Sequence, residues 1–480
     1  MKIDLTTFEL HNVVKTASGD LRTRRGFADH LVAAAGTVNV AAFSIESPQT
    51  TEVWHYVFTQ DVATLVVTLN VMTEEYVSLF TFPCGTCPRD PVISHAVVNR
   101  MVSFNSPSFS VPIWGYVGGG LMPMTRIESD SPSTTALDIP TGHTCSFGDR
   151  LVVTQGSLAF INDSRQDLDP RSFVAQNSFA LPGVIYDAFQ GADGALSFFT
   201  SDGLYMMPVD AIGQGMIQGF VSKVIPQVLT NAPKNAAPTS AGVVVLQRDG
   251  VLVVNGASQQ VLPLPRFEGR RKLSRSVDVE DLRTFGQVFP TPTGALVGFS
   301  RRDYHLMIDL QARSFSWIFG GSSKPLVGVL MSRDGEPIHV FADRIAAMVT
   351  TGPADNDGSS IEGMVCGRID VDITDNPLIR RVTVGAANAG EAIGAAVAPN
   401  IDTGNQSPFM RGDFVIGSST WDEDGPQLQG RSTHTTRMTV NVRSSEPHLE
   451  VVVGGGNRRI KEVAELQAGG LSRSRKDRQE

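Results

Sequence analysis

The sequence predicts an all-β protein: a β-propeller with a second, smaller β-rich domain. Three observations support this prediction. Strands of about four to eight residues alternate with Gly, Asp, Asn or Ser turns, helical periodicity is almost absent, and the strand clusters return every 40 to 50 residues or so. Each cluster holds three or four strands in meander order, which is typical of propeller blades. A β-sandwich would give similar local strands and is the alternative fold.

Seven strand clusters follow one another, and the sixth alternates most cleanly. Asp-Gly pairs such as Asp202-Gly203 and Asp334-Gly335 separate strands where a two-residue hairpin loop requires a positive φ. The clusters span residues 43–82, 95–127, 144–162, 184–208, 242–264, 287–319 and 326–349. Alternation in the sixth cluster predicts a core of Val288, Leu296, Val297, Phe299, Leu306, Ile308, Phe315 and Trp317.

Composition divides the chain into five parts. Between Val349 and Gly430 there are 12 Asp and Glu residues against four Arg, which supplies nearly all of the net charge of −9. Short helices are predicted only at Arg25–Ala35 and Arg459–Gln467, where apolar spacing is of the helical kind. The predicted parts are an N-terminal arm (1–30), the propeller (31–348), an acidic peripheral β-domain (349–430), strands that close the propeller or sheet (431–470) and a disordered tail (471–480).

Composition also excludes several classes of protein. Hydrophobic residues are 41% and charged residues 19% of the 480 residues, which suits a globular chain with a sizeable core. No apolar run is long enough for a transmembrane helix, and the N-terminus shows no secretory signal. Four cysteines are too few for a disulfide scaffold and suit a reducing compartment. The negative net charge disfavours a general polyanion binder.

No catalytic, cofactor or metal site is predicted. Cys84-Gly-Thr-Cys87 has the spacing of a zinc knuckle or redox pair, but a structural zinc site needs four ligands and no second pair exists. A tight turn with two half-buried thiols is the preferred interpretation. No serine lies in a nucleophile elbow, and the nine histidines are dispersed along the chain. These observations favour a protein that is not an enzyme and has no cofactor.

The basic segment Arg266–Arg275 is the candidate contact surface. Five cations, against one acid, lie close together in this segment, and repetition around a ring would make them a collar. The collar could contact DNA in a channel or a neighbouring subunit, and a solvated loop is the alternative. The candidate contacts are Arg266, Arg270, Arg271, Lys272 and Arg275.

Two stretches resemble a known family. The first, Gly148–Asn177, has a Gly-x-Arg-Leu-Val strand, a tight turn, a second strand and a polar loop to Asp169-Pro-Arg-Ser-Phe173. The second, Gly19-Asp-Leu-Arg-Thr-Arg-Arg-Gly26, matches Gly-x-Leu-Arg-x-Arg-x-Gly before the first blade, with Arg25 where the family more often has Pro. In these stretches and in element order along most of its length, the chain resembles the packaged-DNA-stabilisation or tail-hub (nozzle) proteins of short-tailed bacteriophages.

The resemblance implies a structural role in a virion tail. It implies a homo-oligomeric ring, usually a hexamer, that continues the DNA channel below the portal and adaptor, helps retain packaged double-stranded DNA, and anchors fibres, spikes or a needle. Assembly in the cytoplasm of the bacterial host would agree with the few cysteines. Two alternatives stay open at this point. One is a propeller adhesin that binds carbohydrate or peptide. The other is a propeller hydrolase or lyase, which would need several carboxylates or histidines at one funnel.

Overall fold

The structure is a computed structural model of the full chain. It describes residues 2–4, 8–16, 19–47, 51–98, 100–125, 137–162, 171–191, 194–208, 212–213, 216–217, 222–225, 234–247, 250–255, 258–263, 286–350, 355, 361–368, 378–386, 393–398, 421–422, 425–426, 435–443, 448–454 and 459–469. All regular structure in these residues is β-strand. Accordingly, the described part of the chain contains no helix that is long and apolar enough to cross a membrane.

The all-β propeller predicted from the sequence is confirmed, and it has seven blades. Each blade is a four-stranded antiparallel sheet. In chain order the blade strands are β6 (Thr37–Glu46), β7 (Val53–Asp61), β8 (Val66–Met72) and β9 (Ser78–Thr86); β10 (Ser94–Val98), β11 (Met101–Asn105), β12 (Ile113–Tyr116) and β13 (Leu121–Pro123); β14 (His143–Phe147), β15 (Arg150–Gln155), β16 (Leu158–Asn162) and β17 (Phe173–Ala180); β18 (Ile185–Gln190), β19 (Leu196–Thr200), β20 (Gly203–Met207) and β23 (Ser222–Ile225); β24 (Ala236–Thr239), β25 (Gly242–Gln247), β26 (Gly250–Asn255) and β27 (Ser258–Pro263); β28 (Gly286–Thr291), β29 (Gly294–Phe299), β30 (Tyr304–Asp309) and β31 (Ser314–Phe319); and β32 (Leu326–Met331), β33 (Pro337–Phe341), β34 (Arg344–Thr350) and β5 (Gly26–Val32).

The N-terminus closes the ring of blades. Strand β5 pairs antiparallel with β34, with Phe27 opposite Met348 and Ala28 opposite Ala347, and so becomes the fourth strand of blade 7. The first strands of neighbouring blades contact one another, for example β10 with β14 and β32 with β6. These first strands therefore surround the propeller axis. The helix predicted at Arg25–Ala35 is wrong, because the blade offers this segment an open strand edge that outweighs its weak helical spacing.

The hydrophobic core lies between the blades. The described residues form seven buried clusters, and each cluster joins two neighbouring blades, including blade 7 and blade 1. The predicted core of blade 6 is confirmed, because all eight side chains are buried. Seven of them face blade 5, whereas Leu296 lies on the opposite face and packs towards blade 7. Successive side chains of a strand point to opposite faces of the sheet, so blade 6 packs against a neighbouring blade on each of its two faces.

Turn chemistry explains why the strands separate where they do. Gly203 and Gly335, which follow Asp in the predicted hairpins, have φ values of +146° and +78°. The sequence missed the turn at Arg100, which has a φ of +72° and divides the single strand predicted at His95–Phe104 into β10 and β11. Arg itself carries no turn signal, but Asn99 directly before it is a turn-forming residue type, and this signal in the sequence was overlooked.

Further strands extend the propeller at blade 6 and form a separate sheet. These are β1 (Lys2–Asp4), β2 (Glu9–His11), β3 (Val13–Lys15), β4 (Leu21–Thr23), β35 (Glu362–Arg368), β36 (Leu378–Ala386), β37 (Ile393–Ala398), β40 (Thr435–Arg443), β41 (His448–Gly454) and β42 (Arg459–Gly469), besides the short pairs β21 (Ile212–Gly213) with β22 (Met216–Ile217) and β38 (Trp421–Asp422) with β39 (Gly425–Pro426). Strand β2 pairs in parallel with β31, and β35, β41 and β37 follow it in one eight-stranded sheet.

The C-terminal strands return to sheets that begin at the N-terminus. Strand β42 pairs with β1, β4 and β36, and β36 also pairs with β40. The helix predicted at Arg459–Gln467 is therefore wrong, since β42 has partners on both edges. Strands were expected at Ile379–Val384 and Gly394–Val397, and both are present as β36 and β37. The strands expected at 369–373 and 413–417 and the tail at 471–480 lie outside the described residues, and the domain boundaries stay predictions.

Candidate functional site

The candidate contact residues of the basic segment lie outside the described residues. Arg266, Arg270, Arg271, Lys272 and Arg275 all fall within 264–285. Their use in DNA or subunit contacts stays a prediction.

A polar cluster at the propeller axis was not predicted from the sequence. The axial cluster consists of Phe43 in β6, His95 in β10, His143 in β14, Asp187 in β18 and Lys234, which precedes β24. The four strands are the first strands of blades 1 to 4, and Lys234 leads into the first strand of blade 5. Residues spread over about 190 positions of sequence are therefore gathered at one place because the first strands of all blades converge on the axis.

Lys234 projects towards the aromatic side of the axial cluster. Its Nζ lies 6.0 Å from the centre of the Phe43 ring, and that ring lies 4.3 Å, centre to centre, from the His95 imidazole. The backbone of Lys234 has a φ of +62° and its N–H donates to Asp187 Oδ1 over 3.1 Å. The second carboxylate oxygen, Asp187 Oδ2, is buried without a hydrogen-bond partner among the described residues. The ammonium and the carboxylate thus lie in one cluster without forming a direct salt bridge.

Burial sets the protonation of the axial cluster. Desolvation raises the pKa of Asp187 well above its usual range, and the backbone N–H and the charge of Lys234 oppose this shift. Desolvation likewise lowers the pKa of Lys234, and the Asp187 charge opposes that shift. The pKa values of His95 and His143 fall to about 4, first through burial and then through the Lys234 charge. His95, His143 and Lys234 keep some exposed surface. This is expected for groups that border a narrow axial channel.

The axial cluster has the chemistry of a binding site. At neutral pH both imidazoles are neutral, so each offers one donor and one acceptor. The ammonium of Lys234 supplies positive charge, and Phe43 supplies an apolar ring face. Unpartnered polar atoms of this kind cost free energy unless a ligand or water satisfies them. Because the raised pKa of about 8 favours protonated Asp187 at neutral pH, the Lys234 charge predominates and the cluster can hold a small polar ligand that carries a negative charge. No nucleophile is positioned here by a hydrogen bond to an imidazole among the described residues.

A second polar cluster lies at the N-terminal motif and is fully hydrogen-bonded. We call it the Arg24 cluster: Asn12, Arg24, Phe27, Phe319 and Asp355. The Arg24 guanidinium donates to both Asp355 oxygens over 2.7 and 2.6 Å, to the Phe319 carbonyl over 2.6 Å and to Asn12 Oδ1 over 3.0 Å. Asp355 also accepts from the Phe27 N–H over 2.9 Å, and Asn12 Oδ1 accepts from the Phe319 N–H over 2.8 Å. Bidentate pairing of this kind fixes both partners in place.

The residue after Phe319 must be glycine for the Arg24 cluster to form. Gly320 has a φ of +93°, and a Cβ at this position would lie 2.5 Å from both Arg24 Nη2 and Asp355 Oδ2. Arg24 belongs to the Gly19–Gly26 stretch that carries the family resemblance, whereas Arg25 is exposed. The motif thus supplies a buried cation and, directly after it, the strand that closes blade 7.

Two buried histidines lie beside the Arg24 cluster. His305 in β30 and His339 in β33 have ring centres 5.0 Å apart, and both contact the Phe27 ring edge-on. None of their four ring nitrogens has a hydrogen-bond partner among the described residues. Burial lowers the pKa of His305 far below its usual range and that of His339 to about 3, with the charge of Arg24 as a further cause. Both imidazoles are therefore neutral above pH 5 or so.

Cys84 and Cys87 are separate buried thiols in the structure. The Cys84 Sγ donates to the Phe82 carbonyl over 3.6 Å and the Cys87 Sγ to the Ser108 carbonyl over 3.7 Å. Burial raises the pKa of Cys84 to about 12 and raises that of Cys87 as well. Both thiols therefore stay protonated at neutral pH when no metal is bound, which makes them poor nucleophiles. That the pair binds no metal stays a prediction.

A different set of side chains has metal-ligand character. Glu9 and His11 in β2 and Cys366 in β35 bring a carboxylate oxygen, an imidazole nitrogen and a sulfur within 4.8 Å of one another, and all three residues are buried. Sequence inspection could not find this set, because Cys366 lies in a distant strand with no accompanying motif.

Comparisons with known proteins give matches to solved structures only. No family model matches the chain, and no curated protein matches it. The chain is similar to a streptogramin B lyase, with 10% identity over 67% of this chain and 97% of that chain and a TM-score of 0.42. It is also similar to the β-propeller domain of Myceliophteria thermophila Cps50 (Swd1), with 10% identity over 68% and 100% of the two chains and a TM-score of 0.43. YCF48 bound to D1 peptide gives 10% identity over 67% and 94% and a TM-score of 0.38.

Proposed function

We propose that this protein is a structural subunit of the tail of a short-tailed bacteriophage, of the hub or nozzle type. In this proposal it forms a homo-oligomeric ring, with sixfold symmetry expected from the family resemblance. The ring continues the DNA channel below the portal and adaptor, helps retain packaged DNA and anchors fibres, spikes or a needle. The subunit is made in the bacterial cytoplasm and has no catalytic role.

The observation that carries the proposal is the use of the Gly19–Gly26 stretch. This stretch carries part of the family resemblance, and in the structure its Arg24 joins the N-terminus, blade 6 and Asp355 through buried hydrogen bonds. A blade closed by a distant strand resists opening, which suits a part that must withstand the pressure of packaged DNA. The strands added to the outer edge of blade 6 enlarge the surface available to neighbouring subunits or fibres.

The basic segment provides the first test of the proposal. Replacing Arg270, Arg271 and Lys272 together with Glu should weaken tail assembly or genome retention, because a ring repeats the charge reversal in every subunit. The isolated subunit should keep its melting temperature, since charge reversal at surface positions away from buried contacts changes stability little and the composition of this segment predicts such positions. Particle yield and DNA content of virions measure the effect. Normal, DNA-filled, infectious particles would remove this segment from the proposal.

The assembly state tests the hub assignment itself. Purified tails viewed by electron microscopy should contain a ring of this subunit around a central channel. A subunit that stays a monodisperse monomer at all concentrations, together with tails that lack such a ring, would refute the assignment.

The axial cluster favours a second candidate function, recognition of a carbohydrate or peptide by an adhesin. Lys234 offers a cation without a salt-bridge partner among the described carboxylates, and two neutral imidazoles and an aromatic ring surround it. Such a set suits a ligand that bears a carboxylate, for example an acidic glycan or the C-terminus of a peptide.

Ligand binding at the axis can be tested directly. Calorimetric titration with acidic monosaccharides and short peptides should show saturable binding that Lys234→Met abolishes, while Lys324→Met on an exposed turn leaves it unchanged. Neutral sugars should bind more weakly. Absence of binding by every acidic ligand in the panel would exclude this second function and leave the hub proposal unaffected.

A further inference from the structure

A buried three-residue set joins the N-terminal strand to the C-terminal region. Glu9 and His11 are two residues apart in β2, so their side chains lie on the same face of the strand. Cys366 in β35 is the direct cross-strand partner of Glu9. The exposed fractions of Glu9, His11 and Cys366 are only 7%, 4% and 4%. Three different ligand types are thus held together at one point between two paired strands.

The geometry of this set favours convergence on a common point. Glu9 Oε1 lies 3.1 Å from His11 Nε2, yet His11 Nε2 and Glu9 Oε2 are both buried without a hydrogen-bond partner among the described residues. An ion pair would instead direct the imidazole N–H at the carboxylate. Two ligands at about 2.0–2.1 Å from a tetrahedral ion are about 3.3 Å apart, close to the observed separation. The His11 ring also stacks on the Phe319 ring, with ring centres 5.4 Å apart, and this contact fixes the orientation of the imidazole.

We propose that Glu9, His11 and Cys366 bind one zinc ion, with the fourth coordination position taken by water. A thiolate, an imidazole and a carboxylate are ligands that zinc accepts together, and the sulfur disfavours calcium and magnesium. Two anionic ligands and a neutral imidazole also balance a divalent charge, so the occupied site is neutral in its buried surroundings. All ligand atoms lie within 4.8 Å of one another, and side-chain rotation brings them to bonding distance.

The bound zinc links two strands in this proposal. Strand β2 pairs on one edge with β31 of blade 6 and on the other with β35. A metal bound across β2 and β35 therefore fastens the C-terminal strands to the propeller, and its binding free energy adds to folding stability. The proposal is independent of the tail-hub function.

Cobalt provides a test that needs no change at the site. Because the chain has four cysteines, the variant with Cys84, Cys87 and Cys145 all changed to Ser has Cys366 as its remaining thiol. The untagged triple variant and the wild type, stripped of metal and titrated with Co²⁺, should both show thiolate-to-cobalt charge-transfer absorption that saturates at about one equivalent. No such band in the wild type would overturn the proposal, and so would a band that the triple variant loses while remaining folded.

Metal content and stability provide the second test. Wild-type protein expressed with added zinc should contain about one zinc per chain, measured by inductively coupled plasma mass spectrometry. The variants His11→Asn and Cys366→Ser should each lose this zinc. The matched control Cys145→Ser, also at a buried thiol, should keep it. A chelator should lower the melting temperature of the wild type and of Cys145→Ser but not of Cys366→Ser. Zinc retained by folded Cys366→Ser, or stripped wild type that melts unchanged, would overturn the proposal.

Discussion

The Arg24 cluster and the axial cluster are both deep, charged and built from residues far apart in sequence, but they differ in how their polar atoms are satisfied. In the Arg24 cluster the guanidinium, the carboxylate and the neighbouring backbone groups pair with one another. In the axial cluster, Asp187 Oδ2 has no hydrogen-bond partner and Lys234 has no salt bridge among the described residues. Both clusters cost desolvation free energy. The Arg24 cluster recovers it through mutual pairing of its charges, whereas Asp187 recovers part of it through the backbone N–H groups of Lys234 and Ala236.

This difference separates structure from function. A charged group whose bonds are all made within the chain contributes to one fixed conformation and leaves nothing for a ligand. A charged group whose bonds are incomplete retains capacity to bind. We therefore interpret the Arg24 cluster as the part that holds the ring closed and the axial cluster as the part able to recognise another molecule. Three changes test this contrast.

The largest effect is expected from breaking the Arg24 cluster. Asp355→Asn leaves the buried Arg24 guanidinium without a counter-charge, so unfolding free energy should fall by about 3–5 kcal/mol. The matched control is Asp29→Asn, which weakens the partly exposed pair of Asp29 with Arg344 at 3.1 Å and should cost less than about 1 kcal/mol. Urea denaturation of the two variants measures both values. Equal, small losses would show that the Arg24 cluster contributes little to closure of blade 7.

An intermediate effect is expected from the buried histidines beside the Arg24 cluster. The pKa of His339 is about 3 in the folded protein and near its ordinary value when unfolded, so the unfolded chain binds more protons below pH 6.5. The contribution of neutral His339 to the free energy of unfolding is fully present above pH 6.5, and it is lost as the pH falls towards 3. Between pH 7 and pH 5 this histidine alone should cost on the order of 2 kcal/mol.

Removing the imidazole tests this acid sensitivity. His339→Phe keeps an aromatic ring beside Phe27 and Phe341 but cannot be protonated, so its stability should fall less steeply than that of the wild type between pH 7 and pH 5. Val349→Thr, at an exposed position of β34, changes no titratable group and should retain the wild-type slope. Parallel pH profiles for wild type and His339→Phe would contradict the prediction.

The smallest effect is expected at the axis and has the opposite sign. Because burial raises the pKa of Asp187, the folded protein holds a proton that the unfolded chain has lost. The contribution of Asp187 is therefore present below its unfolded pKa of about 4 and is lost as pH rises towards its raised folded value. Asp187→Asn should gain stability relative to the wild type as the pH rises from 5 to 6, by up to about 1.4 kcal/mol.

The control for Asp187→Asn is the same substitution at a carboxylate that is not buried. Asp303→Asn, on an exposed turn, should run parallel to the wild type in thermal melts at pH 5 and pH 6. If the melting temperatures of Asp187→Asn also run parallel to those of the wild type, the Asp187 carboxylate is paired or hydrated in solution. The hydrogen-bonding capacity of the axial cluster is then filled, and the contrast with the Arg24 cluster fails.

Much of the fold could be predicted because its signals are local. Two-residue alternation in Tyr304–Asp309 and Ser314–Phe319 is enough to define blade 6 and its buried residues, and Asp-Gly pairs mark turns in other blades. Blades 3, 4 and 5 were each predicted one strand short, missing β17, β23 and β24. Those strands either follow long connections or carry little apolar alternation, so the neighbouring strand decides their conformation rather than their own sequence.

Local sequence alone determined the strand-rich class, the meander order and which faces of the blades are apolar, because hydrophobic period and turn chemistry act within a few residues. Tertiary structure decided which strand closes blade 7, which charges share the axis and which ligand atoms meet between β2 and β35. These pairings join positions as distant as Phe27 with Met348 and Glu9 with Cys366. Such contacts depend on the closure of the whole ring, and no short stretch of sequence encodes the partner that a strand edge or a buried charge will find.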